Sequence, residues 1–374
     1  MAEMDMGLSP NNKKKKRKKK KQSFGQSLVT GLIPCKGDDS SEVARKIIFL
    51  LSLVLLIGAV VIIAVHFISL AFAPENDGLD QIVTSNGETV IQDGQQVVVN
   101  ANAPTQQQID NLPEGSINEE YAAYYDANND FVGWITINGT NVDYPVVQGD
   151  DNLFYLHHNF NKEDEFAGTI FTDYEGKFGP NEMPNNTILY GHNMLYRYKF
   201  AALNNYNSNI DFLKETPVID FNTLYQKNKY KIISVFIINT NEEHGEVFDY
   251  TKYVYFKNSD EFYKYVLEVM DRSKYNTGVD VEYGDELLTL STCDGSTGFE
   301  DLRLVIVARK VRENESPEVD TSKITWKNSV KYFDAYNNAF GDKWKGRTWD
   351  TSLVPGIDEY IKKNGLEDDP ANYQ

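Results

Sequence analysis

The chain has 374 residues, enough for one substantial domain and additional segments, and its formal net charge is −18. Residues 1–46 have a net charge of +7, whereas the rest of the chain has a net charge of −25. An acidic body argues against nucleic-acid binding, because phosphates would be repelled. Opposite charges in the two parts favour two different compartments.

The first predicted element is the apolar stretch at residues 47–73, IIFLLSLVLLIGAVVIIAVHFISLAFA. About 20 apolar residues are enough for a helix to cross a bilayer. The stretch is too long for the core of a signal peptide, and no convincing small-residue cleavage site precedes Pro74. A buried core helix would have a polar stripe, which this stretch lacks. We therefore expect a transmembrane helix at 47–73.

A basic run, Lys13 to Lys21, precedes this stretch within the segment 1–46. The positive-inside rule places that segment in the cytoplasm and residues 74–374 outside it. The run could bind nucleic acid or act as a localisation signal, but next to a membrane helix we favour contact with anionic lipid. The predicted location is the cell membrane, with a single pass and an extracytoplasmic main domain.

The two cysteines, Cys35 and Cys293, lie on opposite sides of the predicted membrane helix and so cannot pair with each other. Cys293 is then a lone thiol in an exported domain, where a free thiol is exposed to oxidation. It is either buried and inert or retained for its chemistry.

The segment 74–118 is polar and predicts a stalk, and a folded domain is predicted for 119–312. Asn138-Gly139 is a strong signal for a hairpin turn. The predicted strands are 131–137, 142–147, 168–173, 187–192, 217–226, 229–240, 286–293 and 301–311. The predicted helices are a short one from Glu119, 199–206, and 259–273 with a Ser/Asp cap.

These segments predict a mostly β fold with peripheral helices. Hairpin turns and short spacings favour a mostly antiparallel closed barrel over a parallel doubly wound sheet. The extension 313–374 begins like a linker but has an aromatic, partly helical part at 330–346, so we expect it to dock on the barrel, with a free tail as the alternative. The sequence has no repeat, glycine-rich phosphate loop or clustered Cys/His site, and it predicts no metal and no cofactor.

Cys293 ends a predicted strand and precedes a glycine-rich loop, where a substrate could reach it. A thiol becomes a good nucleophile only as a thiolate, so it needs a basic or cationic neighbour. His192, at the end of another predicted strand, is the leading candidate, and its competitors are His157, His158 and His244. A small buried cysteine and structural histidines remain the alternatives.

Arg303 shares one face of its predicted strand with Val305 and Val307. An arginine among valines needs an anionic partner or a developing negative charge. A structural salt bridge is the alternative. Since Cys293 and Arg303 lie ten residues apart across a predicted hairpin, antiparallel pairing would bring them together.

The chain resembles the sortase family in TLSTC, in the arginine ten residues after its cysteine, in YGHNM and in the N-terminal apolar anchor. VDYPVVQGDDNLFYLHHNF, TILYGHNM and the helix between the last two strand groups resemble class B in particular. The resemblance covers roughly residues 119–311. It implies an eight-stranded barrel with Cys293 as nucleophile, His192 as acid/base and Arg303 as oxyanion or substrate clamp. It also implies a peptide groove lined by Asn152, Leu156, Ser291, Asp294 and Tyr250.

The implied reaction is transpeptidation: a sorting motif of an exported protein is cleaved after Thr, a thioacyl enzyme forms, and an amine of a cell-wall precursor or another protein accepts the acyl group. Two other functions stay open at the level of sequence. One is an extracytoplasmic cysteine protease or amidase that uses water as acceptor, and the other is a non-enzymatic membrane-tethered scaffold.

Overall fold

The computed structural model describes residues 32–72, 89–92, 95–98, 104–194, 199–293, 299 and 301–368. The chain divides into two compact units, Met1–Ala73 and Pro74–Gln374. The predicted lipid-binding run Lys13 to Lys21 lies outside the described residues.

The first unit contains helix α1, Ser40–Phe72, which begins seven residues before the predicted apolar stretch. The carboxylate of Asp39 accepts a hydrogen bond from the backbone N–H of Glu42 at 2.9 Å, as an N-cap does, and this explains the earlier start. Within the described part of the chain, Ser40–Ala64 is the one stretch long and apolar enough to cross a membrane. Its apolar side chains are exposed, unlike those of a core helix.

The second unit is built mainly from short strands. The strands are β1 Thr89–Gln92, β2 Gln95–Val98, β3 Phe131–Thr136, β4 Asp143–Val147, β5 Ile170–Thr172, β6 Asn186–Tyr190, β7 Val218–Thr223, β8 Lys229–Asn239, β9 Tyr275–Asn276, β10 Leu287–Cys293, β11 Leu302–Lys310 and β12 Thr325–Trp326. The helices are α2 Gln106–Asp110, α3 Ala122–Ala127, α4 Asn204–Ser208, α5 Ile210–Glu215, α6 Ser259–Arg272, α7 Asp334–Phe340 and α8 Ile357–Lys363.

Eight of the strands close into a barrel in the order β10-β11-β8-β7-β3-β4-β5-β6. The pairs β10–β6 and β4–β5 are parallel, and the other pairs are antiparallel. This confirms the predicted mostly antiparallel closed barrel. The parallel contact of β6 with β10 matters most for the site, because both strands end at the same side of the barrel.

The barrel encloses one apolar core, and a second core lies between the barrel and α6. The predicted Ser/Asp cap of α6 is wrong by one residue: the side chain of Asn258 accepts from the Glu261 N–H at 3.0 Å. Asn, like Ser, supplies a side-chain oxygen that accepts a hydrogen bond at the N-cap, so the same type of cap forms one residue earlier than predicted.

Residues 313–368 dock on the barrel and do not form a free tail. Strand β12 pairs with β9, and Val354, Ile357 and Ile361 join the core around α6. Burial of these aliphatic side chains against the helix is what a linker-like tail would lack.

The packed domain begins before residue 119. In the segment predicted as a stalk, Asn118 is fully buried and donates from its side-chain amide to the carbonyls of Thr223 and Gln226. Helix α2 and the two-stranded sheet β1–β2 lie in the same segment. Residues 74–88, 93–94 and 99–103 of the predicted stalk lie outside the described residues.

Candidate active site

Cys293 is the last residue of β10 and is exposed. Its direct cross-strand partner is Arg303 in β11. Directly opposed residues of an antiparallel pair share one face, with Cβ atoms about 4.5–5.5 Å apart. The predicted antiparallel pairing, which brings Cys293 and Arg303 together across the hairpin, is therefore confirmed.

His192 lies two residues beyond the last paired residue of β6. In the parallel pairing of β6 with β10, Tyr190 is opposite Ser291, so two further residues on each strand reach His192 and Cys293. The side-chain amide of Asn193 donates to the carbonyl of Cys293 at 2.7 Å, which ties the two strand ends together. The barrel thus brings the three predicted catalytic side chains to one edge.

Gly191 allows the chain to turn closely at this point. A Cβ at Gly191 would collide with Ile170 and would lie 2.8 Å from a ring carbon of Phe200. The Gly191 N–H donates to the carbonyl of Ser291 at 3.2 Å. Glycine is required here because a side chain would clash with Ile170 and Phe200. The φ of Gly191 is not positive, so the backbone conformation by itself would not require glycine.

The imidazole of His192 is held by the segment that connects β4 to β5. Nε2 lies 2.8 Å from the carbonyl oxygen of Leu156. A carbonyl oxygen only accepts, so Nε2 carries a proton and Nδ1 is left for proton exchange with another group. The ring of Phe166 lies nearly parallel to the imidazole, with centroids 6.5 Å apart.

None of the three competing histidines ends a strand that neighbours β10 in the barrel. His158 stacks on Phe154 at 3.9 Å between centroids, and its Nε2 lies 3.3 Å from a carboxylate oxygen of Asp164. His244 packs against Phe299. His157 is exposed, with its ring centroid 6.2 Å from that of His192, but it does not follow a strand that pairs with β10.

Arg303 is half-buried, and Val305 and Val307 on the same strand are fully buried. Its Nη1 donates to the carbonyl of Leu302 at 3.0 Å. Among the residues that the structure describes, no carboxylate lies within ion-pair distance of this guanidinium. Arg303 lines a cavity, which is the position expected of a group that meets a charge developing on a substrate.

A cavity of about 610 Å³ adjoins these side chains. It contains four of the five predicted groove residues, and the fifth, Asp294, lies outside the described residues. Its lining consists of Asn152, Leu156, Phe171, Tyr190, Gly191, His192, Ile238, Asn239, Thr240, Val247, Phe248, Asp249, Tyr250, Thr251, Ser291, Thr292, Cys293 and Arg303.

One wall of the cavity is fixed by a pair of hydroxyls. Tyr250 Oη and Ser291 Oγ lie 2.6 Å apart. Burial raises the pKa of Tyr250 to about 12, against the lowering effects of the Ser291 hydrogen bond and the nearby charge of Arg303. The phenol therefore stays neutral at working pH and acts as a hydrogen-bonding wall.

Another part of the lining, Asn152 and Tyr190, depends on a residue that sequence reasoning missed. Asp173 is buried, and its Oδ2 accepts hydrogen bonds from Asn152 Nδ2 and from the Tyr190 hydroxyl, both at 2.8 Å. Burial raises the pKa of Tyr190, and the carboxylate of Asp173 raises it further, so this hydroxyl remains a donor. The sequence carried no signal for this role, because Asp173 lies within the predicted strand 168–173.

No group of three or more metal-binding side chains lies close together within the described ranges. The site therefore offers a thiol, an imidazole and a guanidinium at the mouth of a cavity. That set can perform nucleophilic attack, proton transfer and oxyanion stabilisation.

Comparisons with known proteins point to one family. Residues 135–311 match the family described as Sortase domain. The chain is 33% identical over 235 residues to sortase B of Listeria monocytogenes, spanning 63% of this chain and 89% of that protein. It is 30% identical over 185 residues to sortase B of Staphylococcus aureus, spanning 50% and 72%. A crystal structure of Clostridium perfringens sortase B aligns at 35% identity with a TM-score of 0.45, spanning 50% of this chain and 98% of that one.

Proposed function

Because this chain belongs to the class B sortases, the cysteine transpeptidases that act on sorting-motif substrates and amine acceptors at the cell wall, we propose that Cys293, His192 and Arg303 are its catalytic residues. The observation that carries the proposal is the strand register, which places Arg303 opposite Cys293 and His192 level with it. The cavity of about 610 Å³ beside them is the proposed groove for the sorting motif.

In the proposed first half-reaction the Cys293 thiolate attacks the carbonyl carbon of a threonine in the sorting motif, and a C–S bond forms. Arg303 donates to the resulting oxyanion, which exists only after attack and so receives stabilisation mainly in the transition state. The C–N bond then breaks, and the leaving amine takes a proton from His192. A thioester between Cys293 and the threonine acyl group remains.

In the second half-reaction an amine of the cell wall attacks the thioester carbonyl. His192 takes the proton from the incoming amine, and the C–S bond breaks to release the Cys293 thiolate. The Leu156 carbonyl holds Nε2, so the proton moves through Nδ1 in both directions. Asn152, Leu156, Ser291 and Tyr250 are the proposed walls of the peptide groove, and Asp294 is proposed with them from its place after Cys293.

The proposed setting is the outer face of the cell membrane. Helix α1 supplies a single-pass anchor, and the basic run Lys13 to Lys21 would bind anionic lipid on the cytoplasmic side. Both partners in the reaction, an exported protein and a cell-wall precursor amine, pass close to that surface.

The test is a transfer assay with the full chain in detergent, a library of threonine-containing sorting-motif peptides and candidate amines, with products identified by mass. Without an amine, a peptide adduct on Cys293 is expected. Cys293→Ala should abolish both adduct and transfer, and Cys35→Ala should leave both unchanged. A Cys293→Ala variant that keeps activity within tenfold of wild type would refute the assignment, and water as the sole acceptor would favour the protease alternative.

A further inference from the structure

The extension after residue 312 carries an aromatic face that reaches the active-site edge of the barrel. Phe333 precedes helix α7, and Tyr336 and Phe340 follow at helical spacing on the same side. Neighbouring rings along this face have centroids 5.8 Å and 4.5 Å apart. We name these three residues the aromatic brace. They lie outside the residues 135–311 that match the sortase family.

The brace contacts Phe299, which lies between Cys293 and Arg303 in the sequence. Its ring centroid is 5.8 Å from that of Phe333 and 6.4 Å from that of Phe340. Both contacts are edge-to-face, the geometry that aromatic rings prefer. Phe299 is therefore packed against the extension.

A second contact fixes the start of β11. Asp301 has a φ of +60°, a left-handed conformation that is uncommon for non-glycine residues but that Asp adopts more readily than most. Its carbonyl accepts from the N–H and from the hydroxyl of Thr240, at 2.9 Å and 2.8 Å. Thr240 lines the cavity, so this contact ties Asp301 to the cavity wall. Asp301 lies two residues before Arg303, and Phe299, which contacts the brace, lies two residues before Asp301.

The brace also touches the chain that forms the Tyr250 wall. His244 packs between Phe299 and Phe333, with centroid distances of 5.5 Å and 6.4 Å. Gly245 lies so close to α7 that a Cβ there would be 2.9 Å from atoms of Asp334. Five residues later the same segment supplies Tyr250 to the cavity. One helix of the extension thus contacts both segments that border the groove on this side.

We propose that the aromatic brace positions Arg303 and the Tyr250 wall relative to Cys293, so that the extension is part of the catalytic apparatus without touching the substrate. The proposal rests on the proposed roles of Cys293 and Arg303. A displacement of about 1 Å at reacting groups can cost on the order of a hundredfold in rate. Packing that fixes the two segments bordering the groove can therefore control turnover from outside the barrel.

The test compares Phe340→Ala with Ile357→Ala in the full chain. Phe340 is 52% exposed, so its truncation removes the Phe299 contact at a small cost in stability. We expect kcat for peptide transfer to fall roughly ten- to hundredfold, with the labelling rate of Cys293 by a small thiol reagent unchanged. Ile357 is fully buried against α6, so Ile357→Ala should lower Tm and keep kcat.

Two further variants make the comparison specific. Phe299→Ala should lower kcat at least as far, since it also removes the contacts with Phe333 and His244, and Phe340→Ala added to it should cost little more, because the Phe299–Phe340 contact is already lost. Phe340→Leu should restore part of the rate. A Phe340→Ala variant with a lower Tm and full kcat would show that the brace is only structural and would overturn the proposal.

A readout without turnover separates this proposal from the catalytic assignment. Amide hydrogen exchange at residues 240–251 and 301–303 should be faster in Phe340→Ala than in wild type or Ile357→Ala. Unchanged exchange there overturns the brace even if the wild-type enzyme transfers peptides. Faster exchange in a chain that transfers nothing supports the brace and places the failure in the proposed function.

Discussion

Asp173 has a buried carboxylate directly behind the groove, and its hydrogen bonds decide how two groove side chains point. Its Oδ2 binds the amide of Asn152 and the hydroxyl of Tyr190, while Oδ1 accepts from the Glu175 N–H at 3.0 Å. The Tyr174 N–H donates to Asn152 Oδ1 at 3.1 Å, so the Asn152 amide cannot flip without losing a second bond. The carboxylate, with acceptors only, suits this set of donors.

Asp173→Asn should raise KM for the peptide substrate roughly tenfold, with a smaller change in kcat. The new amide places a donor against either Asn152 Nδ2 or the Glu175 N–H, and a buried unmatched group costs about 1–3 kcal/mol. Steady-state kinetics with a fixed peptide checks this. Asp211→Asn is the matched control, because the Asp211 side chain is 81% exposed. A lower Tm with unchanged KM would limit Asp173 to a structural role.

Spacing along the chain predicted the residues that a single hairpin joins, and it missed those that depend on several strands. Cys293 and Arg303 are ends of adjacent strands, so the sequence alone predicted their proximity. Asp173 and Tyr190 meet because β5 pairs with β6, and the register of that pair is set by packing against the whole barrel. No local pattern in GTIFTD distinguishes a groove-supporting aspartate from a surface one.

At the scale of elements, the C-terminus of helix α6 is where the extension is most firmly attached. The ammonium of Lys327 donates to the carbonyls of Met270 and Asp271, at 2.7 Å and 3.1 Å. Arg347 binds the Asp271 carboxylate through two nitrogens, each at 3.0 Å. The Lys327 bonds satisfy carbonyls that a helix end leaves without partners, and both cations place positive charge where the helix dipole favours it.

Lys327 predicts a pH dependence of stability. Burial lowers its pKa from the ordinary 10.5 to about 8, against the opposite effect of the Asp271 charge. Between pH 8 and pH 10.5 the Lys327 amine therefore binds more protons in the unfolded chain than in the folded one. The free energy of unfolding should then rise with pH across that window. Below it the ammonium is charged in both states and the contribution is constant.

Lys327→Met removes this titration, so the Tm of wild type relative to the variant should increase from pH 7.5 to pH 10. Lys257→Met, at a side chain 83% exposed, should show no such trend. Thermal melts at a series of pH values make the comparison. A Tm difference that is flat over the window would mean that the folded-state pKa is not depressed.

The main helix α6 could be predicted because its fourteen residues show a helical period, and β8 because its eleven residues form a long, mostly apolar run. Strands β9 and β12 have two residues each, too few for any period. Their pairing attaches the extension to the segment after α6, so the aromatic sequence at 330–346 was compatible with either docking or a free tail. Docking depends on Ile357, Arg347 and Lys327 meeting α6, and these contacts are tertiary.

At the scale of the molecule, the distribution of charge is as informative as any motif. Residues 1–46 have a net charge of +7 and the remainder has −25, with an apolar helix between them. A 33-residue helix is about 50 Å long at 1.5 Å per residue, more than the roughly 30 Å of a bilayer's hydrocarbon core. Anionic lipid on a cytoplasmic face would attract the basic end, as the proposed N-inside arrangement requires.

The two cysteines provide the test of this topology, because each reports on one side of the proposed membrane helix. In intact protoplasts a membrane-impermeant thiol reagent should label the Cys35→Ala variant, whose remaining cysteine is the exposed Cys293. It should not label the Cys293→Ala variant until the membrane is permeabilised, since Cys35 would face the cytoplasm. Cys35 is partly exposed, so a lack of labelling reflects the membrane and not burial. Labelling of Cys35 from outside intact cells, at the rate seen after permeabilisation, would reverse the proposed orientation.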